Sequence, residues 1–210
     1  MGQPRIAVLD YDAGNLRSAA KALELGGAQV IVTAEPERAA ESDALVIPGV
    51  GHFGQCVRQF RAAGLEDLIR SWVAQERPLL GICVGMQILY TTSEEDPDAE
   101  GLGILAGRVR RLPPEVTVPH MGWNTISVVT PDPLLDGLDG EQCYFVHSFY
   151  AEPSDQAHVV ATTDYGPGFP SVVRVGSTVG TQFHPEKSAD VGGRLLGNFV
   201  DEVARTRAAA

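Results

Sequence analysis

Pro78-Leu79-Leu80-Gly81-Ile82-Cys83-Val84-Gly85-Met86-Gln87-Ile88-Leu89-Tyr90 is the stretch on which the reading of this chain turns. The apolar run over 78–82 reads as a strand, and the apolar spacing over 86–90 as a helix. Between them a tight turn carries a thiol. Glycines two before and two after Cys83 leave room for a bend that presents the sulfur outward. A helix N-terminus behind the sulfur would favour its thiolate, the nucleophilic form. Taken alone, the motif favours a plainer reading, a buried structural cysteine packed beside small residues, because free Cys is among the most buried residue types.

Outward from this stretch, the first half of the chain alternates strands and helices. Residues 6–9, 30–32, 44–47 and 79–82 read as short buried strands. Residues 15–25 have helical spacing and stop at Gly26-Gly27, and 53–63 and 65–75 read as helices split by Gly64. This alternation implies a mainly parallel sheet covered by helices on both faces. The second half changes character. Segments 109–112, 116–118, 125–129, 144–146, 159–162 and 172–175 are short strand candidates separated by Gly and Pro turns. They suggest an antiparallel region added to the α/β core, which residues 195–203 close as a helix. No repeat, low-complexity tract or linker interrupts the pattern, so a single domain over 1–210 is expected, with 205–210, and 206–210 above all, as a frayed tail.

Composition narrows the function classes. The 210 residues are 44% hydrophobic and 20% charged, which excludes a disordered chain. A net charge of −11 disfavours nucleic acid and anionic membrane, which need basic surfaces, and suits docking on a basic partner face. The cysteines, Cys56, Cys83 and Cys143, lack C-x-x-C spacing, so neither a disulfide framework nor a metal site is expected. No apolar run is long enough to span a bilayer and no leader layout is present, so the expected setting is the reducing cytoplasm.

Ligands of open α/β folds bind at the carboxyl ends of strands. Cys83 is at one such end, in the geometry of the Gly-x-Ser-x-Gly nucleophile elbow. Pro48-Gly49-Val50-Gly51 is at another, where a Gly-rich turn can aim backbone N–H groups at an oxyanion, although alone it reads as an ordinary βα turn. A third element, Gln182-Phe183-His184-Pro185-Glu186, supplies a histidine able to move protons near neutral pH and a carboxylate placed to orient it. Among the remaining histidines, His120, His147 and His158 read better as structural hydrogen-bonding residues.

Together, Cys83 in its Gly-Ile-Cys-Val-Gly turn, His184-Pro185-Glu186 about a hundred residues downstream and the Pro48-Gly49-Val50-Gly51 turn resemble the class I (triad) glutamine amidotransferase family. The segments Asp10-Tyr11-Asp12-Ala13-Gly14-Asn15-Leu16-Arg17-Ser18, Val118-Pro119-His120-Met121-Gly122-Trp123-Asn124, Tyr144-Phe145-Val146-His147-Ser148 and Gln182–Ser188 resemble one branch of it, the glutaminase subunits of imidazole glycerol phosphate synthases. The resemblance spans residues 6 to about 200.

It implies a flavodoxin-like fold and hydrolysis of glutamine to glutamate and ammonia, without metal or cofactor. Cys83, His184 and Glu186 would be catalytic, and Gly49, Val50, Gly51 and Val84 would form an oxyanion hole. Gln87 and the His147-Ser148-Phe149 backbone would bind substrate. Glu95 would meet its ammonium, or else be part of a solvated acidic face. The partner implied is a (β/α)8-barrel cyclase that receives the ammonia and makes imidazole glycerol phosphate and AICAR from PRFAR, in histidine biosynthesis. Asn15, Trp123 and Lys187 would face that partner or signal from it, unless Trp123 merely fills core and Lys187 is a solvated charge. Two positions depart from the family pattern: Asp12 stands where Gly is usual, and His52 follows the oxyanion turn where a small residue is usual.

Overall fold

Strand residues that are apolar on both faces end up at the centre of a covered sheet. The computed structural model describes residues 2–12 and 14–209, without the Ala209 side chain. Ala13 of the 10–18 segment and Ala210 of the tail lie outside the described residues, as does Met1. Along the first half run β1 (Arg5–Leu9), α1 (Leu16–Leu25), β2 (Gln29–Thr33), α2 (Pro36–Ala40), β3 (Ala44–Ile47), α3 (Phe53–Ala62), α4 (Leu65–Ala74) and β4 (Leu79–Ile82). A single turn, α5 (Val84–Gln87), follows. The second half holds β5 (Thr92–Ser93), β6 (Gly107–Arg111), β7 (His120–Thr125), β8 (Ser127–Val128), β9 (Gln142–His147), β10 (Phe149–Pro153), β11 (Val159–Thr163), β12 (Phe169–Val175), β13 (Thr178–Thr181) and α6 (Ala189–Ala209).

Among the described residues the main sheet has the order β2-β1-β3-β4-β13-β12-β11-β8. The first five are parallel, with Ile47 opposite Gly81 and Ile82 opposite Thr181. From β13 onward the pairing is antiparallel. The α/β architecture with an added antiparallel region is therefore present, and β3, β4 and β13 end side by side. Every residue of β3, β4 and β13 is buried, as parallel strands under helices require. Two smaller sheets are present among the described residues: β10-β6-β5, and an antiparallel ribbon of β7 and β9. The Arg174 guanidinium ties β12 to the rest, forking to Asp132 (2.5 and 2.9 Å) and to Glu202 of α6 (2.9 and 2.9 Å).

Several expectations need correction. Residues 116–118 form no strand; Pro113, Pro114 and Pro119 flank them and remove the donors a ladder needs. Of 125–129, only Ser127–Val128 pairs in the main sheet, while Thr125 ends β7. The helix expected over 86–90 is one turn, Val84–Gln87, continued by tight turns to Tyr90. The last helix starts at Ala189 rather than 195 and runs through Ala209, so 205–209, expected to fray, are helical though exposed up to Ala208.

Candidate active site

The chain bends sharply at Cys83, at the carboxyl end of β4. Cys83 sits at φ 53°, ψ −113°, a conformation few non-glycine residues adopt. Close packing forces the glycines around it. A Cβ on Gly85 would stand 1.9 Å from the Ile47 carbonyl oxygen, and one on Gly81 would stand 2.7 Å from the Met86 Cα. The elbow thus folds back on both its own helix turn and β3. Its backbone is pinned by the Cys83 N–H, which donates to the Thr181 carbonyl at 2.7 Å, and by the Met86 and Gln87 N–H groups, which donate to the Cys83 carbonyl at 3.1 Å.

β13 leads directly into His184. The ring is buried, and its Nδ1 lies 2.8 Å from Glu186 Oε1. Burial pushes the His184 pKa down, but the neighbouring Cys83 thiol and the hydrogen-bonded Glu186 carboxylate outweigh it and raise it to about 9. A histidine that is cationic at neutral pH and faces a thiol can hand a proton to a leaving group. Asn15, at the start of α1, donates to the same Glu186 oxygen, so the carboxylate accepts from two sides. Asn15, expected to face a partner or to signal from it, has its side chain at the third member of this cluster.

A cavity of about 340 Å3 opens beside the thiol. Cys83, Val84, Val50, Gly51, Gln87, Glu95, His147, Ser148, His184 and Lys187 line it, so most of the residues singled out from sequence meet here. Gly49 does not line it; its backbone abuts Gly85 instead. Glu95 is half-buried, and its Oε2 accepts the Phe53 N–H at 2.7 Å, at the start of α3, which removes the alternative of a solvated acidic face. Lys187 is an exposed residue at the cavity edge. Trp123 lies away from the cavity and is 51% exposed on β7, beside Met121 at 64%, so it does not fill core.

Gln182 belongs to the 182–188 segment, and its sequence context alone assigns it no role. It is fully buried; its amide nitrogen lies 3.6 Å from the Cys83 sulfur, and its amide oxygen accepts from Gln87 at 3.0 Å. Gln87 also donates to the Phe149 carbonyl at 2.9 Å. Only its place two residues before His184, at the end of a buried strand, signalled it. On the oxyanion turn, Tyr11 donates to the Pro48 carbonyl, and Cys56 to the Val50 carbonyl at 3.5 Å. Burial pushes the Cys56 thiol up to about 11, so it acts as a donor rather than as a second nucleophile.

The two departures are accommodated by local contacts. Asp12 adopts φ 63°, and its N–H donates to the Asp10 side chain at 3.2 Å, an Asx turn that does what glycine would do there. His52 precedes α3 with its ring part-exposed, 3.9 Å from Asp96.

The model of the family "Glutamine amidotransferase class-I" matches residues 7–203. The chain is 48% identical to the imidazole glycerol phosphate synthase subunit HisH of Halobacterium salinarum, over 95% of this chain and 94% of that one. It is 47% identical to the protein of the same name from a Synechococcus species, over 98% and 97%. Among solved structures, a glutamine amidotransferase superposes with a TM-score of 0.76 at 24% identity, over 95% of this chain and 98% of that one. PurLQS from Thermotoga maritima gives 0.74 at 21%, over 98% and 99%.

Proposed function

The chain belongs to the class-I glutamine amidotransferase family and, within it, to the imidazole glycerol phosphate synthase subunits HisH, and from that premise we propose that Cys83, His184 and Glu186 hydrolyse glutamine for a synthase partner. The observation that carries the proposal is the convergence of thiol, imidazole and carboxylate at neighbouring strand ends, with His184 held cationic at neutral pH.

The Cys83 thiolate attacks the side-chain carboxamide carbon of glutamine. Backbone N–H groups of Val50, Gly51 and Val84 receive the oxyanion; one such donor is worth roughly 2.7–4 kcal/mol of barrier. The His184 imidazolium protonates the departing nitrogen, ammonia leaves, and a thioester remains on Cys83. Neutral His184 then takes a proton from water, which attacks the thioester and releases glutamate. Glu186 keeps the ring oriented and balances its charge through both steps. Gln87, Glu95 and the His147–Ser148 backbone hold the amino-acid end of the substrate.

The ammonia passes to a (β/α)8-barrel cyclase, which makes imidazole glycerol phosphate and AICAR from PRFAR in histidine biosynthesis. The chain's own charge of −11 suits a basic docking face, and Trp123 and Met121 offer apolar area for it, with Lys187 and Asn15 nearer the cavity. Turnover is expected to be slow without the cyclase and its ligand. No metal or cofactor is needed, and the cytoplasm is the setting.

The test is Cys83→Ala in the complex with the cyclase. Glutamine-dependent synthesis should disappear while synthesis from added ammonia persists. Loss of both in a folded variant would overturn the reading.

A further inference from the structure

We infer that His120 and His147 form a hydrogen-bond relay of fixed direction that positions the 147–149 corner of the cavity, an inference that rests on the glutamine reading above. Both rings are buried, 4% and 6% exposed, and they face each other across the β7–β9 ribbon, where His120 is paired with His147. The His120 Nδ1 lies 3.1 Å from the His147 Nε2. The His147 Nδ1 lies 2.9 Å from the Phe149 carbonyl oxygen, and the His120 Nε2 lies 3.3 Å from the Asn124 amide nitrogen.

The direction follows from both ends. The Phe149 carbonyl can only accept, so the His147 Nδ1 carries hydrogen. Neutral His147 must then accept at Nε2, so His120 donates from Nδ1 and accepts at Nε2. From the other end, the Asn124 Oδ1 accepts the Thr125 N–H at 2.8 Å, which orients the amide so that its nitrogen faces His120 and the Asp164 carbonyl (3.1 Å). The two ends demand the same two tautomers, so each ring nitrogen of the pair is satisfied in one arrangement.

Both rings are neutral for a physical reason. Burial lowers the His147 pKa to about 3, outweighing the hydrogen bond to the Phe149 carbonyl, and burial lowers that of His120. A proton on either ring would set donor against donor. Aromatic neighbours lock the planes: His120 stacks on Tyr165 at 4.0 Å and on Phe145 at 5.0 Å, and Phe169 meets His147 edge-on at 4.8 Å.

The relay ends on a carbonyl that the cavity shares. Phe149 O also accepts from Gln87, which donates to Gln182, whose amide nitrogen faces the Cys83 sulfur. One chain of donors therefore runs from Asn124 on the exposed ribbon to the cavity wall. His120 does not line the cavity; it is a positioning residue, acting through His147 on the backbone that would receive the substrate's amino-acid end.

His120→Phe keeps the stacked ring and removes the donor, which frees His147 to take the other tautomer and drop the Phe149 carbonyl. In the full chain with its cyclase, KM for glutamine should rise about tenfold with kcat within about twofold, the scale of one lost buried hydrogen bond. His120→Asn, whose amide nitrogen stands where Nδ1 stood, should return KM toward the native value. Imidazole nitrogen NMR of the native protein should show hydrogen on Nδ1 of both rings. An unchanged KM in folded His120→Phe, or hydrogen on the His147 Nε2, would overturn the relay, and the NMR result decides alone where His120→Phe does not fold. Cys83-dependent turnover with an unchanged KM sinks the relay only; turnover that survives Cys83→Ala sinks the glutamine reading.

Discussion

The floor of the cavity and the β7–β9 ribbon differ in how many sides they have covered. Cys83, Gln87, Gln182 and His184 are 0–3% exposed, and β3, β4 and β13 beneath them are buried throughout. The ribbon is covered on one side only. It turns His120, Phe145 and His147 inward and leaves Met121 and Trp123 in solvent. The floor can hold reactive groups still because the core surrounds it. The ribbon keeps apolar area in reserve, and its inner histidines connect that area's backbone to the cavity.

The heaviest blow to the floor is Gly85→Ala. Its new methyl would lie 1.9 Å from the Ile47 carbonyl, a backbone atom that cannot swing aside. A loss of about 4 kcal/mol or more in denaturant unfolding is expected, larger than for ordinary substitutions. An effect under about 1 kcal/mol would show that the floor is not rigid.

Glu186→Gln comes next and leaves packing alone. It keeps an acceptor for His184 and removes the charge, and glutamine turnover should fall about 10⁴-fold, the order seen when a triad's third member is neutralised. The pH dependence has a definite sign. The folded His184 pKa, about 9, lies above the ordinary 6.5, so the stability it brings is complete below about pH 6.5 and is lost as pH rises to about 9. The Tm advantage of the native chain over Glu186→Gln should therefore shrink across that window. An advantage that grows with pH would contradict the assigned charges.

Trp123→Ala, on the ribbon, should have the smallest effect on the isolated chain. Its indole is half exposed and meets Tyr144 edge-on at 6.1 Å, so unfolding should move by no more than about 0.5 kcal/mol. Affinity for the cyclase should fall about 30-fold, as for an aromatic anchor at an interface. Equal affinity with and without the indole would mean that the exposed apolar area is not where the partner sits.

The same contrast governs what could be read from the residues alone. Strands 44–47 and 79–82 were legible because both faces are apolar, and Cys83, His184 and Glu186 because short motifs carry them. β13 escaped notice: Thr178-Val179-Gly180-Thr181 has no apolar run, yet it is buried in full, and Gly180 makes room for Met86. β7 escaped because His120-Met121-Gly122-Trp123-Asn124-Thr125 does not alternate as a half-buried strand should. Gly192 and Gly193 hid the start of α6. The role of Gln182 and the pairing of His120 with His147 depend on residues brought together across strands, which no local pattern encodes.

β4 and β13 lie side by side, yet close to a hundred residues of chain separate them. Closing a loop of that length costs about 4 kcal/mol of chain entropy beyond a constant. Nothing local holds the thiol beside its imidazole; only the completed sheet does. On the proposed reading, ammonia production is thereby tied to folding itself. If Cys83 is the nucleophile as proposed, a chain still emerging or misfolded carries an ordinary cysteine, and glutamine is safe from it until β13 is in place.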